Sequence, residues 1–167
     1  MSTDRSLPDT VLTAETGLVL TRLLPDDAEA YLRLMRDNRE HLTRHGDFEE
    51  QLEATVAATR AAFARHPEGG ETAYGIRAQG RLVGGVSLVA VDPPRYGIGY
   101  WLDRSATGRG YMTAACEALL EQARRSLEAT DFYAGVTHGN TESEAVLRRL
   151  GFTAVAGFDT YTRFHRQ

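Results

Sequence analysis

The sequence predicts an α/β fold, a mixture of helices and strands around one sheet, and three observations predict it. The chain has 167 residues, of which 42% are hydrophobic and 25% charged, as in one globular domain. Its apolar residues recur at helical spacing in some stretches and run at strand spacing in others. These stretches follow in the order strand, helices, three strands, helix, strand, helix, two strands.

The N-terminal region predicts a tail followed by a strand. Residues 1–13 are polar and contain Pro8, so we expect a flexible tail and a single folded domain over residues 14–167. Residues 17–23 form a short β-rich run. Pro25 and the two acids after it then open a helix, as the helix dipole favours.

Two further helices are predicted before the next strand. Residues 38–45 indicate a turn and a short helix. Asp47 with Glu50 has the spacing of a helix cap and its reciprocal carboxylate, which predicts a helix beginning at Asp47. Residues 66–70, rich in Pro and Gly, end that helix.

The rest of the chain alternates strands and helices. Gln79 and Gly80 predict a hairpin turn between two strands. Gly151 stands where a left-handed C-terminal cap belongs, so Phe152 is expected to fold back on Leu147. The predicted elements are strands at 72–78, 81–91 and 96–102, a helix from 111 or 112 to 127, a strand at 131–137, a helix from 140 or 141 to 150, and a hairpin at 153–158 and 160–165.

Charge and composition narrow the function classes. The net charge is −4 and the pI about 5.7, whereas nucleic-acid binders carry a basic surplus, so no nucleic-acid partner is expected. Cys116 is the single cysteine, so an internal disulfide is impossible. The N-terminus lacks a signal-peptide pattern, and no apolar run reaches the roughly 20 residues of a membrane span. We therefore expect a cytoplasmic protein without a membrane partner.

The segment 103–113 is the most informative part of the sequence. Gly108 and Gly110 stand in a loop between a predicted strand and a predicted helix. Glycines let a backbone turn sharply and approach a ligand, and the first helix amides have no internal partners. With Arg104 and Arg109 nearby, the pattern predicts a phosphate or diphosphate site, although an ordinary strand-to-helix loop also fits it.

Two other anion-binding motifs fit less well. A P-loop is excluded because the chain has no G-x-x-x-x-G-K-[ST] sequence. Gly108, Gly110 and Thr113 come within one residue of the dinucleotide fingerprint, and Asp131 follows at a suitable distance. These glycines stand several residues beyond the strand, however, and too little chain follows Asp131 for a doubly wound sheet.

Four separated motifs resemble those of the GNAT family of N-acetyltransferases and stand in the same order as in that family. The resemblance is greatest to its RimJ/RimL branch. The four motifs are Tyr100-Trp101-Leu102-Asp103, then residues 107–113 (TGRGYMT), then Asn140 with Ser143, and finally Leu150-Gly151-Phe152. The resemblance covers residues 17–152. It implies a mostly antiparallel sheet with helices on both faces, which splays open between the strand ending at Leu102 and the strand at 131–137.

The resemblance implies that acetyl-CoA lies in that opening. Its pantetheine arm would pair with the main chain at Trp101, Leu102 and Asp103. The residues expected around its diphosphate are Thr107, Gly108, Arg109, Gly110, Tyr111, Met112 and Thr113. Asn140 would contact the cofactor near its pantetheine end, and Arg148 or Arg149 would reach a phosphate of the nucleotide.

Two positions depart from the family pattern. Thr107 stands where Gln or Arg is usual, which removes one side-chain contact. Leu147 stands where many members have a tyrosine general acid. Ser143 is therefore the candidate to hydrogen-bond the leaving thiolate, although a serine in the first turn of a helix also serves as a cap.

The general base is not fixed by the sequence. His138 follows the strand that borders the opening, and histidine is the side chain most often used as a general base. Asp92, Asp103 and Tyr100 are alternatives. Cys116 lies on an apolar helix face, so we expect direct transfer without a covalent enzyme intermediate.

The expected function is transfer of an acetyl group from acetyl-CoA to a protein N-terminal amine or a small-molecule amine. A cofactor-sensing module without turnover and a dinucleotide-binding oxidoreductase remain as alternatives. His41 and His45 stand four residues apart without an evident third ligand, so no metal is expected. The short segment after Phe152 leaves room for a homodimer that completes the acceptor site.

Overall fold

The computed structural model describes residues 5–65 and 70–167, and the strands in these ranges form one sheet. Their order across the sheet is β1-β2-β3-β4-β5-β6-β8-β7, and every neighbouring pair is antiparallel except β5 and β6. The strands are β1 (Thr10–Leu12), β2 (Leu18–Arg22), β3 (Glu71–Ala78), β4 (Arg81–Asp92), β5 (Arg95–Leu102), β6 (Asp131–Thr137), β7 (Thr153–Gly157) and β8 (Tyr161–Arg166). The helices are α1 (Ala28–Asp37), α2 (Arg39–Thr43), α3 (Glu49–Glu53), α4 (Val56–Ala64), α5 (Tyr111–Leu127) and α6 (Thr141–Arg149). The mixed, mostly antiparallel sheet is confirmed.

The flexible tail predicted over residues 1–13 is wrong for residues 10–12. Residues 10–12 form β1, which pairs with β2 and begins the sheet. Leu7 and Val11 are buried, and the Tyr74 hydroxyl donates to the Pro8 carbonyl at 2.6 Å. Burial of these apolar side chains holds the segment against the sheet despite its polar composition. Residues 1–4, the start of the predicted tail, lie outside the described residues.

The helix predicted from Asp47 is two helices. Thr55 has extended backbone and its hydroxyl accepts from the Ala58 amide at 3.0 Å, so it caps a new helix, α4. Asp47 does not cap α3, because Phe48 stands at the N-cap position with a φ of 65°. The predicted end of this region, 66–69, lies outside the described residues.

Two turn predictions are confirmed. Gln79 and Gly80 have φ angles of 48° and 80° in the hairpin between β3 and β4, the left-handed conformation of a two-residue turn. Gly151 has a φ of 86°, and the Phe152 amide donates to the Leu147 carbonyl at 2.9 Å. The chain therefore folds back after α6 as its sequence predicts.

Helices pack on both faces of the sheet. Adjacent residues of a strand point to opposite faces, and β5 shows it directly. The Trp101 side chain packs with Met35, Leu42 and Leu52 from the helices α1 to α3. Leu102 belongs instead to the larger core cluster, which contains the buried face of α5. The core thus has one layer on each face of β5.

The sheet splays open between β5 and β6. The two strands pair for three residues only, Arg95–Gly97 with Asp131–Tyr133. Beyond this point β5 continues beside β4 as far as Leu102, and β6 continues beside β8 as far as Thr137. A V-shaped gap therefore lies between Ile98–Leu102 and the second half of β6, as the family resemblance implies.

Candidate active site

The edge of β5 that faces the V carries main-chain groups without a strand partner in the described part of the chain. The Asp103 amide donates to the Val83 carbonyl at 2.7 Å, so the pair of Gly84 and Leu102 next to it is of the non-hydrogen-bonded type. The N–H and C=O groups of Leu102 and Tyr100 therefore point away from β4 and into the V. Residues 101–103 were predicted to pair with the pantetheine arm. Of the two that belong to β5, only Leu102 presents its main chain to this gap.

No other atoms crowd the backbone of the two glycines in the loop before α5. Gly108 and Gly110 have φ angles of 77° and 78°, and a Cβ built at either residue meets nothing within 4 Å. Glycine is therefore required here by backbone conformation rather than by crowding. Gly110 is the N-cap of α5, and the Ala114 amide donates to its carbonyl at 3.1 Å. The amides of residues 111–113 precede this first helical bond and have no partner within the helix, which is the geometry that suits an anion.

The polar side chains of the loop hold its own backbone. The Ser105 hydroxyl donates to the Asp103 carboxylate at 2.8 Å, and the Thr107 hydroxyl donates to the Arg104 carbonyl at 2.7 Å. Burial would raise the pKa of Asp103, but hydrogen bonds from Ser105 and Asn38 outweigh it and lower that pKa. Asp103 therefore stays ionised and is a poor proton acceptor, which disfavours it as a base.

A cavity of about 1090 Å³ joins the loop to the V. It brings together most of the residues predicted to bind the cofactor, together with Ser143. The predicted residues that line it are Trp101, Leu102, Thr107, Gly108, Gly110, Tyr111, Met112, Thr113, Asn140 and Ser143. Asp103, Arg109, His138 and Arg148 are not among its lining residues.

Arg148 and Arg149 point in different directions. Arg148 pairs with Glu144 at 2.7 Å, and its guanidinium lies over the Phe164 ring, 5.6 Å from the ring centroid. Arg149 lines the large cavity. The structure therefore makes Arg149, the other arginine considered for the nucleotide, the one that can reach a ligand there.

Ser143 and Tyr100 form a hydrogen-bonded pair across the V. The Ser143 hydroxyl donates to the Tyr100 hydroxyl at 2.8 Å, which in turn donates to the Ser143 carbonyl at 3.1 Å. Burial raises the pKa of Tyr100, so this hydroxyl stays protonated at neutral pH and does not act as a base. The Asn140 side chain accepts from the Ser143 amide at 3.2 Å and caps α6. Leu147, in contrast, is fully buried.

His138 lies outside the V. Its side chain is exposed, and Nε2 donates to the Phe158 carbonyl at 2.8 Å. It lines neither the large cavity nor the smaller one described below. The structure does not bring this predicted residue to Ser143.

A second cavity, of about 250 Å³, lies in the V next to the first. It is lined by β5, β6 and the segment before α3, and it shares Asp47, Phe48, Tyr100, Asn140 and Ser143 with the large cavity. The two cavities therefore adjoin at the Tyr100–Ser143 pair. No sequence pattern predicted Asp47 and Phe48 at the site, because the spacing of Asp47 and Glu50 indicated a helix cap.

His41, Arg44 and His45 also line the large cavity, and no sequence pattern predicted this position for them. Partial burial and the nearby Arg44 charge lower the pKa of His41. Over residues 5–65 and 70–167, no cluster of three or more His, Cys, Asp or Glu side chains could hold a metal ion. None of the helices in these ranges is long and apolar enough to span a membrane.

Cys116 lies on the buried face of α5. It is fully buried, and burial raises the pKa of its thiol, so little thiolate forms at neutral pH.

We expect the Cys116→Ala variant to keep the turnover of the unmodified protein within about twofold. Its free energy of unfolding should fall by on the order of 1 kcal/mol, because the contacts of the sulfur are lost. Steady-state kinetics and urea unfolding measure the two effects. Loss of turnover in a variant that remains folded would contradict direct transfer.

Known proteins with similar sequences are acetyltransferases. A profile of the acetyltransferase (GNAT) domain matches residues 17–153. The chain is 32% identical over 144 residues to "Putative ribosomal N-acetyltransferase YdaF" of Bacillus subtilis, which covers 80% of this chain and 77% of that protein. It is 29% identical over 107 residues to the ribosomal-protein-serine acetyltransferase of Escherichia coli, over 63% of this chain and 60% of that protein.

Solved structures share the fold. RimL, a ribosomal L7/L12 α-N-protein acetyltransferase in complex with coenzyme A, has a TM-score of 0.83 at 24% identity and covers 93% of this chain and 97% of its own. RimJ of Mycobacterium smegmatis, in complex with a CoA disulfide, has a TM-score of 0.81 at 23% identity, over 95% and 87% of the two chains. The profile match and the B. subtilis relative show that the chain belongs to the GNAT family of acetyltransferases, as its motifs predicted.

Proposed function

We propose that this acetyl-CoA-dependent N-acetyltransferase modifies the α-amine of a protein N-terminus, with a ribosomal protein as the acceptor class. The observation that carries the proposal is that two cavities adjoin at Tyr100 and Ser143. One cavity can hold the acetyl donor while an extended chain end enters by the other. Two relatives are named for ribosomal acceptors, which supports a ribosomal protein and a cytoplasmic site of action.

The residues present fit coenzyme A. The free edge of β5 at Tyr100 and Leu102 offers N–H and C=O groups to the amides of a pantetheine arm, as an added strand would use them. The open loop and the amides of residues 111–113 suit its diphosphate. The Thr113 hydroxyl is buried without a hydrogen-bond partner in the described structure, as expected of a group that holds a polar ligand. Arg149 lines the large cavity and can supply the positive charge that the family resemblance implies at 148 or 149.

The reaction forms a C–N bond to the acceptor and breaks the C–S bond of the thioester. Acetyl-CoA supplies the activated acyl carbon. A main-chain N–H on the free edge of β5, at Tyr100 or Leu102, can donate to the thioester oxygen, where negative charge develops. Ser143 can turn its hydroxyl from Tyr100 toward the departing sulfur and give it a proton. The Tyr100 hydroxyl can pass a proton to Ser143 as it takes one from water in the cleft, so both hydroxyls end the step protonated.

The acceptor must lose one proton, which balances the proton gained by the thiol. An α-amine has a pKa of about 8, so an appreciable fraction is already neutral at physiological pH. Water can carry this proton out of an open cleft. The proposal therefore needs no histidine base and gives His138 no part in the chemistry.

We expect His138→Ala to keep kcat within about twofold of the unmodified enzyme, because proton transfer by a positioned group contributes about a hundredfold or more where it operates. The pH profile of kcat/KM should also be unchanged. A fall of a hundredfold in kcat, with loss of an ionisation near neutrality, would restore His138 as the base.

Two assays test the proposed function. A thermal-shift series with acetyl-CoA, coenzyme A, NAD and ATP should show stabilisation by the first two alone; a ligand at 100 times its Kd adds about 2.7 kcal/mol. Thiol release should then occur with peptides beginning with serine and stop when the peptide N-terminus is acetylated.

Other results would favour the alternatives. Binding of acetyl-CoA without thiol release from any amine would indicate a cofactor sensor. Release with polyamines or aminoglycosides and none with peptides would assign a small-molecule acceptor, and stabilisation by NAD would point to an oxidoreductase. Completion of the acceptor site by a second copy of the chain stays a prediction, which the oligomeric state in solution tests.

A further inference from the structure

We propose that Asp47 recognises the acceptor: its carboxylate binds the positively charged amine in the smaller cavity and so selects amines that are cationic at neutral pH. This inference rests on the proposed function, because it assigns the smaller cavity to the acceptor. Asp47, which its spacing to Glu50 indicated as a helix cap, would then determine specificity for the acceptor.

The position of Asp47 fits this role. It lies in the segment that joins α2 to α3, is half-buried, and lines both cavities near the Tyr100–Ser143 pair. Among the described residues that line the smaller cavity, Asp47 is the only charged one. An ammonium group that enters there therefore meets a single opposite charge, close to the proposed reaction centre.

The carboxylate is held in place and retains capacity to bind. The Thr137 hydroxyl, at the end of β6, donates to Asp47 Oδ1 at 2.8 Å and so ties the segment to the far wall of the V. An ionised carboxylate has about four acceptor sites, so one hydroxyl leaves others for an ammonium. Within residues 5–65 and 70–167, Asp47 forms no ion pair, and the neighbouring Arg44 pairs with Glu142 at 3.5 Å.

The backbone after Asp47 is strained at this site. Phe48 has a φ of 65°, which is unfavourable for a residue with a side chain and persists only where surrounding contacts enforce it. Its ring packs against the cluster that contains Leu52 and Trp101. This packing fixes the segment and, with the Thr137 bond, sets the position of the carboxylate.

The charge acts on binding rather than on the chemical step. A carboxylate next to an ammonium forms a charge-assisted hydrogen bond, which is stronger than a bond between neutral groups. The amine must later lose a proton before it attacks, so the attraction favours capture of the cation and brings no advantage to a nucleophile that enters neutral. A cationic and a neutral acceptor should therefore respond differently to removal of the charge.

The test is Asp47→Asn in the full chain. Asparagine has nearly the same shape, and its carbonyl oxygen can still accept from Thr137. We expect the KM for a peptide beginning with serine to rise about tenfold or more, since hydrogen bonds to charged groups contribute more than neutral ones. The KM for acetyl-CoA should stay within about twofold, and so should the KM for an acyl hydrazide, a nucleophile that is neutral at pH 7.5.

Glu50→Gln is the matched control. It removes the same charge three residues away, from an exposed position on α3 that lines neither cavity. The KM of this variant for the peptide should not change. A rise in this KM equal to that of Asp47→Asn would assign the effect to the overall electrostatic field of the protein and overturn the proposal.

The remaining outcomes are also decisive. An unchanged peptide KM in Asp47→Asn overturns the inference, and so does an equal rise for peptide, hydrazide and acetyl-CoA, which would indicate a structural role. If the unmodified enzyme acetylates small amines but no peptide, the proposed protein acceptor is wrong, and the same comparison with a small amine still tests Asp47. Absence of thiol release with every amine overturns both.

Discussion

Gly110→Glu is expected to abolish acetyl-CoA binding, with a loss of affinity of about a hundredfold or more, equivalent to about 2.7 kcal/mol. Gly110 has a φ of 78°, so any side chain strains the backbone at the N-cap of α5. The glutamate would also place a negative charge beside the helix amides that are proposed to hold the diphosphate. Thermal shift and calorimetric titration with acetyl-CoA measure the effect.

Gly80→Glu is the matched control for this experiment. Gly80 has a φ of 80°, and a Cβ there also meets nothing within 4 Å, but it lies in the hairpin turn between β3 and β4. Gly80→Glu therefore adds the same charge and the same backbone strain as Gly110→Glu, but at a distance from the proposed diphosphate site. We expect this variant to lose stability and to keep its affinity for acetyl-CoA. Equal affinity in the two variants would contradict the loop assignment.

Ser143→Ala is expected to lower kcat by about ten- to a hundredfold, because the hydroxyl that protonates the leaving sulfur is lost and water replaces it poorly. The KM for acetyl-CoA should change less than about threefold. The cap of α6 should persist, since Asn140 accepts from the main-chain amide of residue 143. Thiol-release kinetics with the best acceptor measure both constants.

Tyr100→Phe completes a double-mutant cycle with this change. If Tyr100 and Ser143 act as one proton path, the double variant should be no slower than the slower single variant. Additive losses would mean that the two hydroxyls act separately. An unchanged kcat in Ser143→Ala would remove Ser143 from the mechanism.

The parts of the fold that the sequence predicted are those with local signals. The turn at Gln79 and Gly80, the fold-back at Gly151 and the loop before α5 each depend on residues adjacent in the chain. Strand β1 was missed because its three residues are stabilised by pairing with β2 and by burial of Leu7 and Val11. The division between α3 and α4 was missed because the cap at Thr55 competes with the one indicated at Asp47.

The parts of the site that the sequence did not predict depend on contacts distant in the chain. Asp47 meets Thr137 from 90 residues away, and no local pattern shows that bond. Arg148 and Arg149 differ by one step around α6, and only the packing of that helix decides which of them lines the cavity. The geometry of His138 is set by the carbonyl of Phe158 in the last hairpin.

A crystal structure with coenzyme A bound tests the central claim most directly. We predict electron density for the diphosphate against the main-chain amides of residues 108–113, and for the pantetheine arm along Tyr100 and Leu102 in the gap between β5 and β6. Density for the nucleotide on another surface, with this loop and gap free of ligand, would contradict the account.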